Sequence, residues 1–127
     1  MRKYNVAVVG ATGLVGSTFL KVLKEYNFPI ENLTLFASSK SAGKVVVYDN
    51  KEYVVKALEK GCFKGIEIAL FSAGGKVSEE WAVEAESSGA VVIDNSSAWR
   101  RDENVPLVVP ECNADDIKWH NNIIANP

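Results

Sequence analysis

A glycine-rich turn between an apolar run and an amphipathic segment limits what this chain can fold into more than any other feature. The run VAVV comes directly before GATGLVG, Gly10–Gly16, and the amphipathic segment follows it. In a strand–turn–helix context this spacing predicts a dinucleotide site: Gly10 permits the turn, Gly13 lets the backbone approach a pyrophosphate, and Gly16 lets the helix pack on the strand. The N–H groups at the helix start favour phosphate. An ordinary βα turn is the alternative, and the spacing of the glycines in this context favours the nucleotide.

Apolar runs alternate with helical patterns along the chain, which is typical of a doubly wound, mostly parallel, Rossmann-like α/β sheet. Short β-rich runs on either side of Asp49-Asn50 predict a small β-hairpin inserted into this alternation. The predicted strands are Tyr4–Val9, Leu33–Ala37, Ile68–Phe71, Ala90–Asp94 and Asn122–Ala125, the hairpin arms are Lys44–Tyr48 and Tyr53–Lys56, and the helices run from Leu14 to about Asn27 and from about Val77 to Ser88.

The loops after the strands are expected to converge on one crevice, because ligands of such sheets bind outside the carboxyl ends of the strands. The loops in question follow Val9, Ala37, Phe71, Asp94 and Ala125. The first helix is expected to face the sheet with one apolar stripe, formed by Leu14, Val15, Phe19, Val22 and Leu23. A further short helix is expected to begin with Asn113 as its cap.

Length and composition narrow the class of protein. A chain of 127 residues with 47% hydrophobic and 24% charged residues predicts one globular domain, residues 1–127, that buries a single core. A net charge of -2 gives no reason to expect nucleic acid or an anionic membrane as a partner. Cys62 and Cys112 lie too far apart for a zinc site or a disulfide framework, so we expect no metal and a cytoplasmic location.

The end of the second predicted strand indicates which nucleotide is bound. Sites for NAD usually place an Asp or Glu about 20 residues beyond the glycines, on the ribose 2′-hydroxyl. Here the strand is followed by the hydroxyls of Ser38, Ser39 and Ser41 and by the cation of Lys40, with no acid before Asp49. A carboxylate would repel a 2′-phosphate, whereas these groups would hold it. The sequence therefore predicts NADP as the cofactor.

Several further blocks stand in order along the chain and are more specific than the glycine turn. After GATGLVG come SSKSAGK, LFSAG, DNSSAWR, VPLVVPE and IIANP, which begin at Ser38, Leu70, Asp94, Val105 and Ile123. Together these blocks resemble the aspartate-β-semialdehyde dehydrogenase family over essentially the whole chain. The SSKSAGK and VPLVVPE blocks carry most of that resemblance.

The resemblance implies an activity, the NADP-dependent reductive dephosphorylation of L-aspartyl-4-phosphate to L-aspartate 4-semialdehyde through a cysteine thioester. This step leads toward lysine, threonine and methionine. In the family the nucleophilic cysteine follows the Ala-Asn-Pro run, so it is expected beyond Pro127. We therefore expect a dinucleotide-binding domain that is inactive by itself, with the catalytic and dimerisation domain absent from this chain. The complete protein is expected to be a homo-oligomer, a dimer or tetramer, that acts on small-molecule substrates.

The resemblance also implies roles for individual residues. Arg100 would bind the phosphate of the substrate, because a guanidinium pairs bidentately with phosphate oxygens. Lys40 replaces an arginine that is common in the family, which keeps the charge and loses the planar fork. The implied cofactor residues are Thr12, Gly13, Leu14 and Val15 at the pyrophosphate, Lys40 and Ser41 at the adenosine ribose phosphate, and Ser72, Ala73, Gly74 and Asn95 toward the nicotinamide. Gly10, Gly16 and Ser38 complete the predicted set of cofactor-binding residues.

Two other functions remain open at this point. One is an N-acetyl-γ-glutamyl-phosphate reductase, which has a related fold and chemistry, and the other is a non-catalytic NADP-binding module. Among the remaining residues, Cys112 is expected to be buried and His120 to be structural or exposed. The tryptophans Trp81, Trp99 and Trp119 are expected to serve in packing.

Overall fold

The computed structural model describes residues 2–127 and has strand β1, Tyr4–Val9, near the centre of a six-stranded parallel sheet. The strand order is β5-β2-β1-β6-β7-β8, which among the strands of this sheet is the 3-2-1-4-5-6 order of the Rossmann fold. The predicted fold class is therefore confirmed. The other elements are α1 (Leu14–Glu25), β2 (Ile30–Ala37), β3 (Val45–Tyr48), β4 (Lys51–Val54), β5 (Lys56–Ala57), β6 (Ile68–Phe71), α2 (Gly75–Ser87), β7 (Val91–Asp94), α3 (Pro110–Asn113), a 3₁₀ helix (Ala114–Trp119) and β8 (Ile123–Ala125).

The continuous apolar sequence of β1 follows from its position between two packed layers. Val6 and Val8 face α1 and belong to one core cluster with Leu20, whereas Ala7 and Val9 belong to the other cluster, under α2. All four side chains are 1% exposed or less. A strand covered on both faces has no polar position, which is why an unbroken apolar run predicts it.

The buried stripe of α1 agrees only in part with the predicted one. Phe19 and Leu23 are half-buried as expected, beside the buried Gly16 and Leu20. Leu14 is instead 85% exposed, and Val15 and Val22 are each 40% exposed. The close approach of Gly16 to the turn before the helix directs the residues at Gly16 and Leu20 toward the sheet. A residue without a side chain carries no hydrophobic signal, so periodicity alone centred the stripe one residue off.

The predicted hairpin is present, with one correction to its second arm. Asp49 and Asn50 both have positive φ, 50° and 63°, as the two-residue turn of a hairpin requires. The second arm begins directly after this turn, at Lys51, and ends at Val54. Lys56 does not belong to the hairpin but to β5, which extends the main sheet beside β2.

The segment before β8 contains the predicted short helix and corrects two predictions of burial. The 3₁₀ helix Ala114–Trp119 begins after Asn113 and has Asp115 and Asp116 in its first turn. The Asn113 side chain does not cap this helix but accepts a hydrogen bond from the Val109 N–H, and a further helical turn, α3, precedes it. Cys112, expected to be buried, is exposed, and Trp119, expected to pack, is 47% exposed. Both lie on short helical turns outside the sheet, where no second layer covers them. Within residues 2–127, no helix is long and apolar enough to cross a membrane.

One face of the sheet lies open over β6, β7 and β8. The side chains of Ile68, Val91 and Ile93 share the face that α1 covers over β1, and they line a depression of about 420 Å³. Ile117 closes one side of it and is 42% exposed. Exposed apolar surface of this kind favours association with other protein surfaces.

We expect the chain to self-associate through this open face. Ile117→Glu places a charge at its rim without entering the core, so it should lower the weight-average sedimentation coefficient at high concentration. Val47→Glu is the matched control, because Val47 is 65% exposed on the hairpin, away from the face. A compact monomer at every concentration, before any substitution, would contradict the expectation.

Candidate functional site

Gly16 lies against the carbonyl of Gly10, and this contact fixes where α1 begins. A Cβ at residue 16 would lie 2.0 Å from the Gly10 carbonyl oxygen and 2.9 Å from the Ala11 Cα, which are backbone atoms that cannot rotate away. Gly10 has φ 87°, and a Cβ there would lie 3.0 Å from the backbone of Ser72. The turn therefore fits tightly between β1, β6 and α1, and only glycine satisfies both positions.

The two long helices begin at neighbouring strands with open N-termini. The first N–H groups of α1 and α2 have no intrahelical acceptor, and neither Gly13 nor Gly74 contributes a side chain that could cap them. The first turn of each helix contains no acidic residue. Because β1 pairs with β6, both positive helix ends meet at the same edge of the sheet. The arrangement favours a ligand with negative charge.

A cavity of about 290 Å³ opens at this edge and gathers part of the predicted site. Leu58 and Val77 also line it, and sequence analysis missed both because each resembles an ordinary core residue. The predicted residues that line the cavity are Gly10, Thr12, Gly13, Ser38, Ser72 and Ala73. A larger depression of about 410 Å³ lies at the opposite end of the sheet, between the hairpin and the start of β2, and includes no predicted residue.

The loop after β2 presents its lysine to solvent. The carbonyl of Ser38 accepts hydrogen bonds from the N–H groups of Ser41 and Ala42, at 2.9 and 3.0 Å, and so closes a tight turn. Lys40 lies in this turn and is exposed, with no ion pair to any residue in the described part of the chain. Its ammonium group is therefore available to an anionic ligand beside the cavity.

The loops after β7 and β8 meet around a guanidinium group. Arg100 Nη2 donates to the carbonyl oxygen of Asn95 at 3.0 Å and to that of Asn126 at 3.5 Å. Asn95 Nδ2 in turn donates to Asn126 Oδ1 at 3.3 Å. Of the predicted residues, Asn95 and Arg100 thus form a second group, separate from the lining of the cavity. Asn126 was missed as a member of it, although it begins the Asn-Pro end of the IIANP block.

The cysteines lie outside both groups. Burial raises the pKa of the Cys62 thiol above its ordinary value, which keeps the weakly nucleophilic thiol form. Cys112 lies on α3, where its N–H donates to the Val109 carbonyl at 2.8 Å. Within residues 2–127, no group of three or more His, Cys, Asp or Glu side chains is arranged to hold a metal ion.

Comparison with known proteins decides the family. The sequence profile described as "Semialdehyde dehydrogenase, NAD binding domain" matches residues 5–120. This chain belongs to that family. It is similar to the aspartate-semialdehyde dehydrogenases of Aquifex aeolicus, with 62% identity over 98% of this chain, and of Bacillus subtilis, with 54% identity over 99%. It spans only 37% and 36% of the lengths of these two relatives.

A solved structure of the family shares the fold closely. The crystal structure of aspartate semialdehyde dehydrogenase II from Vibrio cholerae, complexed with ASA, superimposes with a TM-score of 0.95 at 48% identity. The superposition covers 99% of this chain and 42% of that one. This chain therefore has the fold of the semialdehyde dehydrogenase NAD-binding domain, including the glycine turn, the sheet order and the hairpin described above.

Two glycine substitutions test which glycine of the turn is required by packing. Gly16→Ala should lower the free energy of unfolding by about 3 kcal/mol, because its Cβ overlaps backbone atoms. Gly13→Ala should change it by no more than about 1 kcal/mol, since φ is -81° and the nearest atom would lie 3.5 Å away. Urea unfolding of both variants measures the difference. Equal losses would show that the close approach at Gly16 is not what holds α1.

Proposed function

We propose that this chain binds NADP along the carboxyl edge of its sheet. The observation that carries this proposal is the order of the strand ends. From β2 through β1 and β6 to β7 the edge presents a lysine with serine hydroxyls, then two open helix N-termini, then small residues and an asparagine. A 2′-phosphate, a pyrophosphate and a nicotinamide follow each other in the same order along NADP.

The residues present fit this cofactor by their chemistry. Backbone N–H groups at the open start of α1 suit a pyrophosphate, because they carry partial positive charge without a competing side chain. Ser72 and Ala73 have side chains small enough to leave room in the cavity for a flat ring. The strands from β2 to β7 are three steps apart in the sheet, which is roughly 14 Å. An extended dinucleotide can follow an edge of that length.

NADP rather than NAD is proposed because of the loop after β2. Lys40 supplies a cation there, and no carboxylate lies in the turn to repel a 2′-phosphate or to bind a free 2′-hydroxyl. A hydrogen bond to a charged group contributes about 1.5–3 kcal/mol, reduced here by solvent because Lys40 is exposed.

Removal of the Lys40 charge tests the choice of cofactor. Lys40→Ala should weaken NADP binding about fivefold to tenfold and leave NAD binding nearly unchanged, because only NADP carries the 2′-phosphate. Raised salt should narrow the difference between the two cofactors. Lys21→Ala, at an exposed position on α1, is the control for a general loss of positive charge. Equal affinities of the unmodified chain for NADP and NAD in calorimetric titration would refute the proposal.

For the complete protein we propose the reductive dephosphorylation of L-aspartyl-4-phosphate to L-aspartate 4-semialdehyde. The named relatives and the blocks around Arg100 support this reaction. Bound NADPH would supply the hydride. Arg100 would hold phosphate oxygens beside the strand end that leads into Asn126, and the nucleophilic cysteine would follow Pro127, so that acyl group and phosphate lie next to each other. The catalytic and dimerisation domain would be contributed by sequence that is not part of this chain.

A chimera with a relative tests the reaction. This chain joined to the unmatched portion of the Aquifex aeolicus protein should form NADPH from aspartate semialdehyde and phosphate, whereas the chain alone should bind NADP without turnover. Covalent catalysis needs a thiolate and a base placed at the carbonyl, and neither Cys62 nor Cys112 lines the cavity or forms a hydrogen bond with Arg100.

The controls identify the nucleophile and the substrate. Cys112→Ala should leave the activity of the chimera unchanged, and replacement of the first cysteine after Pro127 should abolish it. Turnover by the chain alone that is lost with Cys112→Ala would overturn the assignment. A chimera that acts on N-acetylglutamate semialdehyde instead would establish the alternative reductase.

A further inference from the structure

The loop from Asp94 to Arg100 is held to the rest of the fold at three points. Arg100 binds the carbonyl oxygens at the ends of β7 and β8, as described above. Trp99 Nε1 donates to Ser78 Oγ on α2 at 3.0 Å, and Ser78 is fully buried. Ser96 Oγ donates to Asp94 Oδ2 at 2.6 Å. The first two contacts anchor the far end of the loop, and the third sets how it leaves the sheet.

The Ser96 hydroxyl links the Asp94 carboxylate to the backbone of the loop through two hydrogen bonds. Its Oγ donates to Asp94 and at the same time accepts from the N–H of Ala98, at 3.1 Å. The chain therefore turns back on itself directly after β7. This turn returns Arg100 to the carbonyl oxygen of Asn95, only five positions earlier in the chain.

Asp94 is an unusual choice for a structural acceptor. It is 0% exposed and lies in register with Phe71 and Ala125, on the apolar face under α2. Its Oδ1 has no hydrogen-bond partner within residues 2–127, and the Nε of Arg100 is likewise buried and unpartnered. A buried carboxylate with a free oxygen costs stability, and so does an unsatisfied guanidinium N–H. Two such costs in one loop indicate a function other than stability.

We propose that Asp94 and Ser96 are positioning residues, which aim the guanidinium of Arg100 at the phosphate of the substrate. The inference rests on the proposed function of Arg100 and assigns these two residues to the same site. The carboxylate fixes Ser96, Ser96 fixes the turn at Ala98, and the turn fixes Arg100 with Nη2 on backbone carbonyls. Nη1 makes no hydrogen bond to any residue in the described part of the chain, so it is left as a donor that an anion can accept from. A carboxylate suits the role of Asp94, because a charge-assisted hydrogen bond holds Ser96 more firmly than a neutral one.

The chimera separates positioning from folding. Ser96→Ala should raise the KM for phosphate about tenfold, because Arg100 loses its fixed direction, and should leave the Kd for NADP within about twofold. Ser96→Thr keeps the hydroxyl and should restore the KM for phosphate to within about twofold of the original. Asp94→Asn keeps an acceptor for Ser96 but loses the charge, so an intermediate rise of about threefold is expected. Arg100→Lys gives the reference for direct loss of the bidentate group.

Ser97→Ala is the matched control, because Ser97 is an exposed neighbour whose hydroxyl makes no hydrogen bond to any described residue of the loop. It should leave both constants unchanged. In the chain alone, titration with inorganic phosphate should shift the NMR resonances of the Arg100 guanidinium N–H groups, and Ser96→Ala should weaken that shift. This second measurement needs neither turnover nor the rest of the enzyme.

The outcomes separate this inference from the function on which it rests. A chimera without turnover would refute the proposed reaction, while the phosphate titration of the chain would still decide the role of Ser96. An active chimera in which Ser96→Ala leaves the KM for phosphate unchanged would overturn the positioning role. Parallel losses of phosphate and NADP binding, with no recovery in Ser96→Thr, would show that the pair serves only the fold.

Discussion

The contact of Gly16 with the carbonyl of Gly10 is the constraint on which the rest of the structure depends. It brings the axis of α1 so close to the end of β1 that no Cβ fits between them. The close approach decides which side of α1 meets the sheet. It also holds the open N-terminus of α1 at the strand edge, beside the matching start of α2. Packing and ligand site are therefore consequences of one backbone contact.

The two ends of the candidate site differ in their chemistry. At β1 and β6 the cavity is lined by backbone groups and small side chains, so it presents partial charges and shape. At β7 and β8 the half-buried Arg100 is held on the carbonyl oxygens of Asn95 and Asn126, in a loop that begins at the fully buried Asp94. Partial charges along several strand ends suit an extended ligand, whereas one guanidinium group held in a fixed direction suits a single anionic group.

The two faces of the sheet are covered to different extents over β6, β7 and β8. α2 packs on the other face of β6 and β7, where its Ala82 and Ala85 are both 0% exposed. α1 covers only the side of β1 and β2, so Ile93 and its neighbours remain half-buried. The chain spans 37% of the length of its Aquifex aeolicus relative. A doubly wound sheet normally has helices on both faces, and here the second layer is incomplete within the described residues.

By itself the sequence determined the fold class, the glycine turn, the hairpin at Asp49-Asn50 and the edge of the sheet where the cavity opens. These follow from local chemistry: alternation of apolar runs, residues that accept positive φ, and the rule that parallel strands end on one side. It also predicted the cavity residues around Gly10 and Ser72, because they directly follow neighbouring strands.

Only the tertiary structure decided which side of α1 is buried, that Cys112 and Trp119 are exposed, and that Lys56 joins the main sheet. It alone brought Leu58 and Val77 to the cavity, Asn126 to Arg100, and Trp99 to the buried Ser78. The physical reason is that burial and hydrogen-bond partners depend on residues distant in the chain. Periodicity and propensity depend only on residues that are close in the sequence. They therefore give no sign that Gly16 decides how α1 packs or that Asp94 is buried.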